Sequence, residues 1–504
     1  MIPLIAESLS FLSEHALLLL AILVIFALLL TKIGYKFGMP TLLLFLVLGL
    51  VAGKDVMGMS FENFAFAHYI GEFAISIILL TGGLQVRYSH IKPVFRQGVL
   101  LSTLGVFLTA IFTAVFIFFL LGSRLSLPRH LLVYVCLMIA SILSSTDSTA
   151  VFSVMKGTKI RLKEHLGPLL ELESGSNDPM ALTLTIVFVR VVSSVQSPGT
   201  LTADYSYATV LPTVLLTVFL QIGLGFAMGL VMGKLSIWLL RKVKLDASPL
   251  YAIMILALGI ATNTLTSILQ GNGLLALYVM SIAIGSDDGI PFKKEIIKFF
   301  DGITWLAQLL MFLMLGLLAS PSQFSTALGP AVLIGLFMIF IARPVSVFMC
   351  LAPFRKMSLR SKFFVSWVGM KGAGPILFAT APVVAGLEGA SEIFNIVFII
   401  TLLSMVIQGF SLPYVGKLLK VSEPEGPKLD TFGMEFPEEM GALHDYTLTA
   451  EDLEHGDTVR HMQMAHGTRI IMIKRDNDFV VPHGSLKLYP GDKMVILESD
   501  SSED

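Results

Sequence analysis

The sequence predicts an all-α polytopic membrane protein with a small cytoplasmic α+β domain at its C-terminus. Hydrophobic residues make up 55% of the 504 positions and charged residues 14%, a balance typical of chains embedded in a bilayer. About thirteen apolar runs are long enough to span the membrane, and polar residues interrupt two of them. After Val421 the composition changes, since 18 of the 36 acidic residues but only 7 of the 35 basic ones lie there.

The predicted spans are apolar runs of about 17 to 25 residues. They begin near positions 14, 40, 65, 94, 131, 165, 208, 249, 271, 292, 327, 361 and 392. An odd number of spans puts the two termini on opposite sides of the membrane. Alternate loops carry most of the lysine and arginine, so the positive-inside rule places those loops in the cytoplasm. We therefore expect the N-terminus outside and the C-terminus in the cytoplasm.

Two spans are interrupted near the predicted middle of the membrane. Span 5 contains the polar run 144–149, and span 12 contains Lys-Gly-Ala-Gly-Pro at 371–375. Backbone without helical hydrogen bonds is tolerated at that depth only where it is buried in protein or lines an aqueous cavity. Because the two broken spans are seven apart, spans 1–6 and 8–13 are predicted to form two inverted six-helix repeats whose broken helices cross, with a binding site between them.

The predicted domains are a transmembrane domain at 1–420, a linker at 421–436 and a cytoplasmic domain at 437–504. The linker begins with a Pro- and Gly-containing acidic stretch, and runs at 468–474, 479–481 and 493–498 are typical of strands separated by turns. The acidic composition of the tail is unsuited to binding nucleic acid or an anionic membrane surface.

Several chemical classes lack support in the sequence. Cys136 and Cys350 both lie in apolar runs, which indicates neither a disulfide framework nor a metal site. The histidines have no zinc-ligand spacing, and no nucleophile–base set or phosphate-binding loop is present. We therefore expect no cofactor and no enzymatic activity.

Span 6 carries the ionisable residue of greatest interest, Asp178. An acidic side chain at bilayer depth is costly and therefore marks a functional hypothesis. Ser174 lies one helical turn before Asp178 on the same face, and Pro179 cannot donate a hydrogen bond to the carbonyl of Gly175. A carboxylate, a hydroxyl and a freed carbonyl are suitable ligands for an alkali cation, so Asp178 and Ser174 are predicted to bind a monovalent cation. The alternative is a helix kink whose polar residues satisfy one another.

Other buried charges are predicted to have structural roles. Asp147 begins the second half of span 5 and Lys371 ends the first half of span 12, so each is expected to offset helix ends of the opposite sign. Direct pairing of the two is a second possibility. Arg343 in span 11 is predicted to balance Glu173, although an interfacial arginine is an alternative. This assignment leaves Asp178 as the buried carboxylate without an obvious cationic partner.

Three motifs resemble the signatures of monovalent cation/proton antiporters of the NhaP and eukaryotic sodium/proton exchanger type. They are 175–179 with its Asn177–Asp178 pair, Thr146–Asp147, and Gly-Asn-Gly-Leu-Leu-Ala-Leu-Tyr-Val at 271–279. The resemblance covers roughly residues 10–420. It implies a homodimer in which spans 4–6 and 11–13 form a mobile core that moves against a scaffold.

The resemblance also implies roles for individual residues. The positions matching Asp178 and Ser174 hold the ion, Glu173 and the backbone of Thr146 assist, and Asn177 belongs to the same cation-binding set. The pairs formed by Asp147 with a basic residue and by Glu173 with an arginine are structural. Two departures are Lys371, where an arginine is usual, and Ser148 after the Thr-Asp pair; a lysine still neutralises but lacks the bidentate fork of arginine.

The tail is similar to the C-terminal half of RCK (TrkA-C) regulatory domains, mainly over 469–497. No GxGxxG-type nucleotide-binding half precedes it, so regulation by NAD is not implied. The linker, the acidic composition and the RCK-like strand pattern lead us to expect that the tail binds a small cytoplasmic ligand of unknown identity. Bacterial potassium/proton antiporters commonly carry this pairing, which favours potassium over sodium and a bacterial inner (plasma) membrane location.

The expected mechanism is electroneutral exchange by alternating access, with one proton or one cation at Asp178. An Asn-Asp pair, unlike two adjacent aspartates, leaves a single exchangeable charge. The alternatives are a ligand-gated potassium channel and a sodium-coupled solute symporter. The sequence contains no TVGYG-like filter, and broken paired helices with a buried carboxylate fit a carrier better.

Overall fold

The structure is a computed structural model, and the chain divides into two compact units, Met1–Glu423 and Pro424–Asp504. The first unit is helical, and the described part of the second is built mainly from strands. The predicted linker at 421–436 and the roles of the two units stay predictions. The structure describes residues 16–37, 39–59, 61–122, 127–157, 160–163, 165–196, 207–424, 443–449, 451–453, 456–462, 468–475 and 478–498.

The first unit is a bundle of apolar helices. In the described part of the chain, nine helical segments are long and apolar enough to cross a membrane, and four shorter apolar helices accompany them. Each of the thirteen predicted spans overlaps one of these segments, and the number of crossings stays a prediction. In chain order the helices are α1 (Ala16–Phe37), α2 (Thr41–Ala52), α3 (Phe64–Gln85), α4 (Tyr88–Leu121), α5 (Arg129–Ser144), α6 (Ser148–Gly157), α7 (Leu166–Gln196), α8 (Tyr207–Lys242), α9 (Ser248–Ile268), α10 (Gly273–Gly285), α11 (Lys293–Leu317), α12 (Pro321–Leu351), α13 (Leu359–Trp367), α14 (Ala373–Val384) and α15 (Ala390–Leu418).

Glycines set the close contact between α8 and α10. Gly225, Gly229 and Gly233 follow one another at every fourth position of α8 and so lie on one face. A Cβ atom at Gly225 would lie 2.6 Å from the carbonyl oxygen of Asn272, and one at Gly229 would lie 2.7 Å from that of Ala276. Small residues spaced in this way let two membrane helices approach closely, so α8 and α10 form a tight pair.

Both predicted interruptions are present, although the second is displaced. Residues 145–147 separate α5 from α6, and residues 368–372 separate α13 from α14. The sequence prediction extended the second break to Pro375, which was wrong because Ala373 begins α14. A proline is tolerated in the first turn of a helix, where its missing N–H has no intrahelical partner to bind.

Helices α4 and α12 share the same irregularities, which the sequence did not predict. Each begins with or near a 3₁₀ turn, at Lys92–Val94 and Pro321–Gln323. Each also contains a five-residue π-helical turn, at Leu101–Gly105 and Met338–Ala342. These helices correspond to predicted spans 4 and 11, which are seven apart, as are the two broken spans. The shared irregularities support the predicted inverted repeats, which stay a prediction.

Two short strands pair near the chain position where the first unit ends. Strand β1 (Ile160–Leu162) pairs with β2 (Ser422–Pro424). The backbone N–H of Lys163 also donates to the carbonyl of Val421 at 3.0 Å. The segment after α15 is therefore tied to the loop between α6 and α7.

The described part of the second unit is a four-stranded antiparallel sheet with the order β3-β6-β4-β5. Three strands match the predicted ones, whereas β3 was not predicted. The helical part of the predicted α+β fold is not found among the described residues, which contain only a 3₁₀ turn at Glu451–Leu453. Leu448, Ile473 and Met494 are in the buried core. The strands are β3 (Leu443–Thr447), β4 (Thr468–Arg475), β5 (Asp478–Val480) and β6 (Lys493–Glu498).

Candidate functional site

The two helix breaks meet and are hydrogen-bonded to each other. The backbone N–H of Asp147 donates to the carbonyl of Met370 at 2.9 Å. In the opposite direction, the Lys371 ammonium donates to the carbonyl of Ser145 at 2.9 Å. Groups left without helical partners by one break are therefore satisfied by the other, as buried backbone requires.

Asp147 and Lys371 each stabilise a helix end at this crossing. The carboxylate of Asp147 accepts hydrogen bonds from the N–H groups of Thr149 at 2.8 Å and Ala150 at 3.2 Å, which makes it the N-terminal cap of α6. The Lys371 ammonium lies on the Ser145 carbonyl just after α5 ends, where the helix dipole favours a cation. A direct Asp147–Lys371 ion pair, the second possibility at the sequence level, is not formed: both side chains bind backbone groups instead.

Arg343 and Glu173 form a buried ion pair between α12 and α7. Arg343 is 4% exposed and Glu173 2% exposed. Arg343 directly follows the π-helical turn Met338–Ala342, and a π-turn adds a residue that rotates the helix after it. The π-turn therefore helps to set the direction in which the arginine projects. Because Arg343 is buried and paired, it is not the interfacial arginine that the sequence left as an alternative.

Asp178 lies beside the crossing, where its carboxylate accepts a hydrogen bond from the Ser145 hydroxyl. In the described part of the chain, no cationic side chain lies within ion-pair distance of Asp178. Ser174, one turn earlier, accepts from the N–H of Ser148 at 3.0 Å and donates to the carbonyl of Thr146 at 3.1 Å. Asp178 and Ser174 are thus both joined to the break between α5 and α6.

Asn177 links the same helix to the break through its side chain. Its Nδ2 donates to the hydroxyl of Thr146, and the residue is completely buried. Its Oδ1 is buried and has no hydrogen-bond partner among the described residues. One amide thus holds α7 against the break while leaving a carbonyl oxygen for a further interaction.

A cavity of about 260 Å³ reaches Asp178 from one side of the bundle. Its wall includes the half-buried carboxylates of Asp147 and Asp178 and extends to the exposed side chains of Gln85 and Glu171. The cavity therefore connects Asp178 with the surface near the end of α3. The cavity has room for water beside the carboxylate.

Two residues of this site were not assigned by the sequence reasoning. Ser145, which binds Asp178, lies in the polar run 144–149, but its hydroxyl could not be distinguished from its neighbours without the fold. Tyr278 packs against Gly175, where a Cβ atom would lie 2.3 Å from the ring, and its hydroxyl donates to the carbonyl of Glu171 at 3.2 Å. Its presence in the motif 271–279 was the available signal.

Known proteins resemble this chain in sequence and in fold. The family profile described as "Sodium/hydrogen exchanger, transmembrane" matches residues 18–418. The chain belongs to the sodium/hydrogen exchanger family. It is 34% identical over 485 residues to the K(+)/H(+) antiporter NhaP2 of Shewanella oneidensis, covering 96% of this chain and 81% of that protein. It is also 35% identical over 470 residues to the K(+)/H(+) antiporter NhaP of Alkalimonas amylolytica, covering 93% of this chain and 75% of that protein.

A solved exchanger structure has the same fold. The sodium proton antiporter MjNhaP1 from Methanocaldococcus jannaschii superposes with a TM-score of 0.66 at 22% identity, covering 81% of this chain and 99% of that one. The chain is therefore a helical polytopic membrane protein of the exchanger fold. The family profile ends at residue 418, so the resemblance of the tail to RCK domains stays a prediction.

Proposed function

We propose that this protein is an electroneutral monovalent cation/proton antiporter in which a proton and a cation compete for Asp178. The observation that carries the proposal is the position of this carboxylate at the crossing of two broken helices and at the end of a cavity. None of the cationic side chains that the structure describes is in ion-pair contact with it. An acidic group so placed can bind a proton or a cation from the cavity. Glu173 and Asp147 are less suited, because an arginine or a helix end already balances each of them.

The proposed mechanism is alternating access. The core crosses the low-dielectric barrier when the charge of Asp178 is neutralised by a proton or by a cation, and the bare carboxylate is held back by its desolvation cost. Asn177 beside Asp178 is neutral, so one proton exchanges for one monovalent cation. In the predicted orientation, the loop after Gln85 is cytoplasmic and the cavity faces inward.

The proposed cation ligands are the Asp178 carboxylate, the Ser174 hydroxyl and the carbonyls of Thr146 and Gly175. All are oxygen atoms, which suits an alkali cation. We assign Glu173 an indirect part, because its carboxylate is engaged by Arg343. Asn177 supports the site by holding Thr146.

Potassium is the favoured substrate, and sodium is the alternative. Two relatives at 34% and 35% identity are named K(+)/H(+) antiporters. The structural relative of similar fold is named a sodium proton antiporter, at 22% identity. The more similar sequences therefore favour potassium.

Purified protein in proteoliposomes with an internal pH-sensitive dye tests the proposal. Potassium or sodium gradients should each be tried, and the active cation should drive proton movement that is unaffected by an imposed membrane potential. Asp178→Asn should abolish exchange while leaving the protein folded, because the amide keeps the shape and removes the exchangeable charge. Ser153→Ala is a matched control, since Ser153 lines the same cavity without contacting Asp178 in any hydrogen bond of the described chain.

Three results would overturn the proposal or replace it. Proton flux retained in folded Asp178→Asn would remove Asp178 from the mechanism. Cation flux without proton movement would favour a ligand-gated channel, and cation uptake that requires an organic solute would favour a sodium-coupled symporter.

We further propose that the antiporter is a homodimer in a bacterial inner membrane, with its C-terminus in the cytoplasm. The tail is proposed to bind a small cytoplasmic ligand that biases the carrier between conformations. The acidic composition and separate fold of the second unit support a regulatory part outside the ion pathway. A ligand can act in this way by differential affinity for two carrier states.

A further inference from the structure

Asn272 is a buried residue whose side chain makes three hydrogen bonds, and it lies directly before α10. Its Oδ1 accepts from the N–H of Leu275 at 2.8 Å and caps the helix. Because an N–H donor requires the oxygen of the amide, this contact fixes which way the side chain points. Its Nδ2 then faces α7, where it donates to the carbonyl of Pro179 at 2.7 Å and to the hydroxyl of Thr183 at 2.6 Å.

The backbone of Asn272 is fixed to the scaffold helices. Its N–H donates to the carbonyl of Gln221 in α8 at 3.0 Å, and its own carbonyl packs against Gly225 on the glycine face of α8. Helices α8 and α10 are predicted spans 7 and 9 of the scaffold, whereas α7 is predicted span 6 of the mobile core. The main chain of Asn272 is thus part of the predicted scaffold, whereas its side-chain amide donates hydrogen bonds to α7 of the predicted mobile core.

These bonds lie beside Asp178 and away from the cavity. Pro179 is the next residue after Asp178, and Thr183 is one turn farther along α7. Neither lines the cavity, whose wall includes Gly175 and Tyr278 from the same pair of helices. The α7–α10 contact is therefore open to the cavity on one side of Asp178 and closed by Asn272 on the other.

A second bridge lies on the same predicted outer side. His68 in scaffold helix α3 and Thr380 in core helix α14 are joined by a hydrogen bond of 2.8 Å between Nδ1 and Oγ1. Nearby, Gly71 allows α3 to approach α14 so closely that a Cβ atom there would lie 2.2 Å from a methyl group of Leu377. Closure on this side is therefore made by both apolar and polar contacts.

We infer that Asn272 is a latch that holds the outer side of the carrier closed by fastening scaffold helix α10 to core helix α7 next to Asp178. The inference rests on the proposed alternating access, in which the core moves relative to the scaffold in each cycle. Bonds that exist in one state and break in the other favour the first state by their differential free energy. Asn272 is thus a positioning residue that sets how often Asp178 faces inward.

The test measures the apparent KM for the transported cation on each face of oriented proteoliposomes. Releasing the latch shifts the population toward the outward-facing state, so the KM should rise on the cytoplasmic face and fall on the outer face. Asn272→Ser keeps a capping hydroxyl but is too short to reach α7, and Thr183→Val removes one acceptor from the core side. The ratio of the two KM values should change about three- to tenfold.

Thr185→Val is the matched control, because Thr185 is a buried threonine of α7. Among the described residues its hydroxyl bonds only within its own helix, to the carbonyl of Ala181 at 2.8 Å. It should leave the KM ratio unchanged. Equal changes of KM on both faces, or an unchanged KM ratio in Thr183→Val, would overturn the latch. Either result is compatible with a parent protein that exchanges cations for protons. If Asn272→Ser does not fold, Thr183→Val decides the question. Failure of the parent to exchange would instead contradict the proposed function.

Discussion

Replacing Arg343 by methionine should destabilise the transmembrane unit strongly while leaving the ion-binding groups in place. Methionine retains most of the apolar stem and removes the guanidinium, so Glu173 is left as a buried carboxylate. The side chains of the pair are 5% and 2% exposed, and removing one partner of such a pair typically costs about 3–5 kcal/mol. The loss comes from the stranded charge rather than from a cavity.

This free energy corresponds to a measurable shift in thermal stability. At about 2.1 cal/mol/K per residue, the 423 residues of the first unit have an unfolding entropy of about 0.9 kcal/mol/K. A loss of about 3–5 kcal/mol then lowers the apparent Tm by about 3–6 °C. Fluorescence-detected heating of the purified protein at one fixed scan rate measures the shift, because membrane proteins of this size often unfold irreversibly.

Two further variants make the reasoning refutable. Adding Glu173→Gln to Arg343→Met removes the stranded charge and should restore most of the lost Tm. Lys54→Met is the matched control, since Lys54 and Glu62 form an ion pair whose side chains are 63% and 67% exposed, and such pairs contribute about 0–1 kcal/mol. A double variant no more stable than Arg343→Met alone, or a control that loses as much, would refute the assignment of the pair.

Three other outcomes follow from the structure. Gly372→Ala should lower the apparent Tm and slow exchange, because its Cβ would lie 1.9 Å from Asp147 Oδ2 and overpacking typically costs about 1–3 kcal/mol. Gly329→Ala is the control and should do neither, because nothing lies within 4 Å of its Cβ. Equal effects of the two substitutions would contradict this prediction. In the tail, the Arg475 guanidinium holds the pKa of Asp492 below its usual range; this stabilisation is present above about pH 4 and is lost as the pH falls through the lowered pKa. Asp492→Asn at pH 7 should therefore make the tail more sensitive to protease. Asp457→Asn is the control and should not, because Asp457 forms an exposed ion pair with Lys487. An Asp492→Asn tail as resistant to protease as the parent would contradict this prediction. Truncation after Pro424 keeps the pairing of β1 with β2. It should leave exchange active in proteoliposomes but shift its dependence on pH or ligand. Complete loss of exchange by a truncated protein that remains a stable dimer would show instead that the tail is part of the transport cycle.

Features carried by local composition could be predicted from the sequence. Long apolar runs gave the positions of the helices, and the polar run 144–149 gave the first break, because a continuous lipid-facing helix does not tolerate those residues. The pairing of Arg343 with Glu173 came from counting buried charges that need compensation. The strands after residue 467 were recognisable from alternating residues between turn signals.

Features that depend on contacts between distant segments could not be predicted. The end of the second break was misplaced because Pro375 is compatible both with a break and with a first helical turn. Strand β3 was missed because its five residues include His444 and Asp445 and show little alternation. The partner of Lys371 is a backbone carbonyl, which no pattern of side chains reveals. The π-turns of α4 and α12 share no sequence signal, because the first contains Ser102 and Thr103 whereas the second, Met338–Ala342, is apolar.

The crossing of the two breaks has a consequence for biogenesis. The bond between Lys371 and Ser145 joins residues 226 positions apart in the chain, so the first broken helix leaves the ribosome long before its partner exists. At about 5–20 residues per second, this interval lasts roughly 10 to 45 seconds. During that time the polar groups of residues 145–147 need hydration or temporary protein partners, because unsatisfied backbone is costly in lipid. Insertion of this chain is therefore expected to be most vulnerable between synthesis of α5 and synthesis of α13, and to depend there on the insertion machinery.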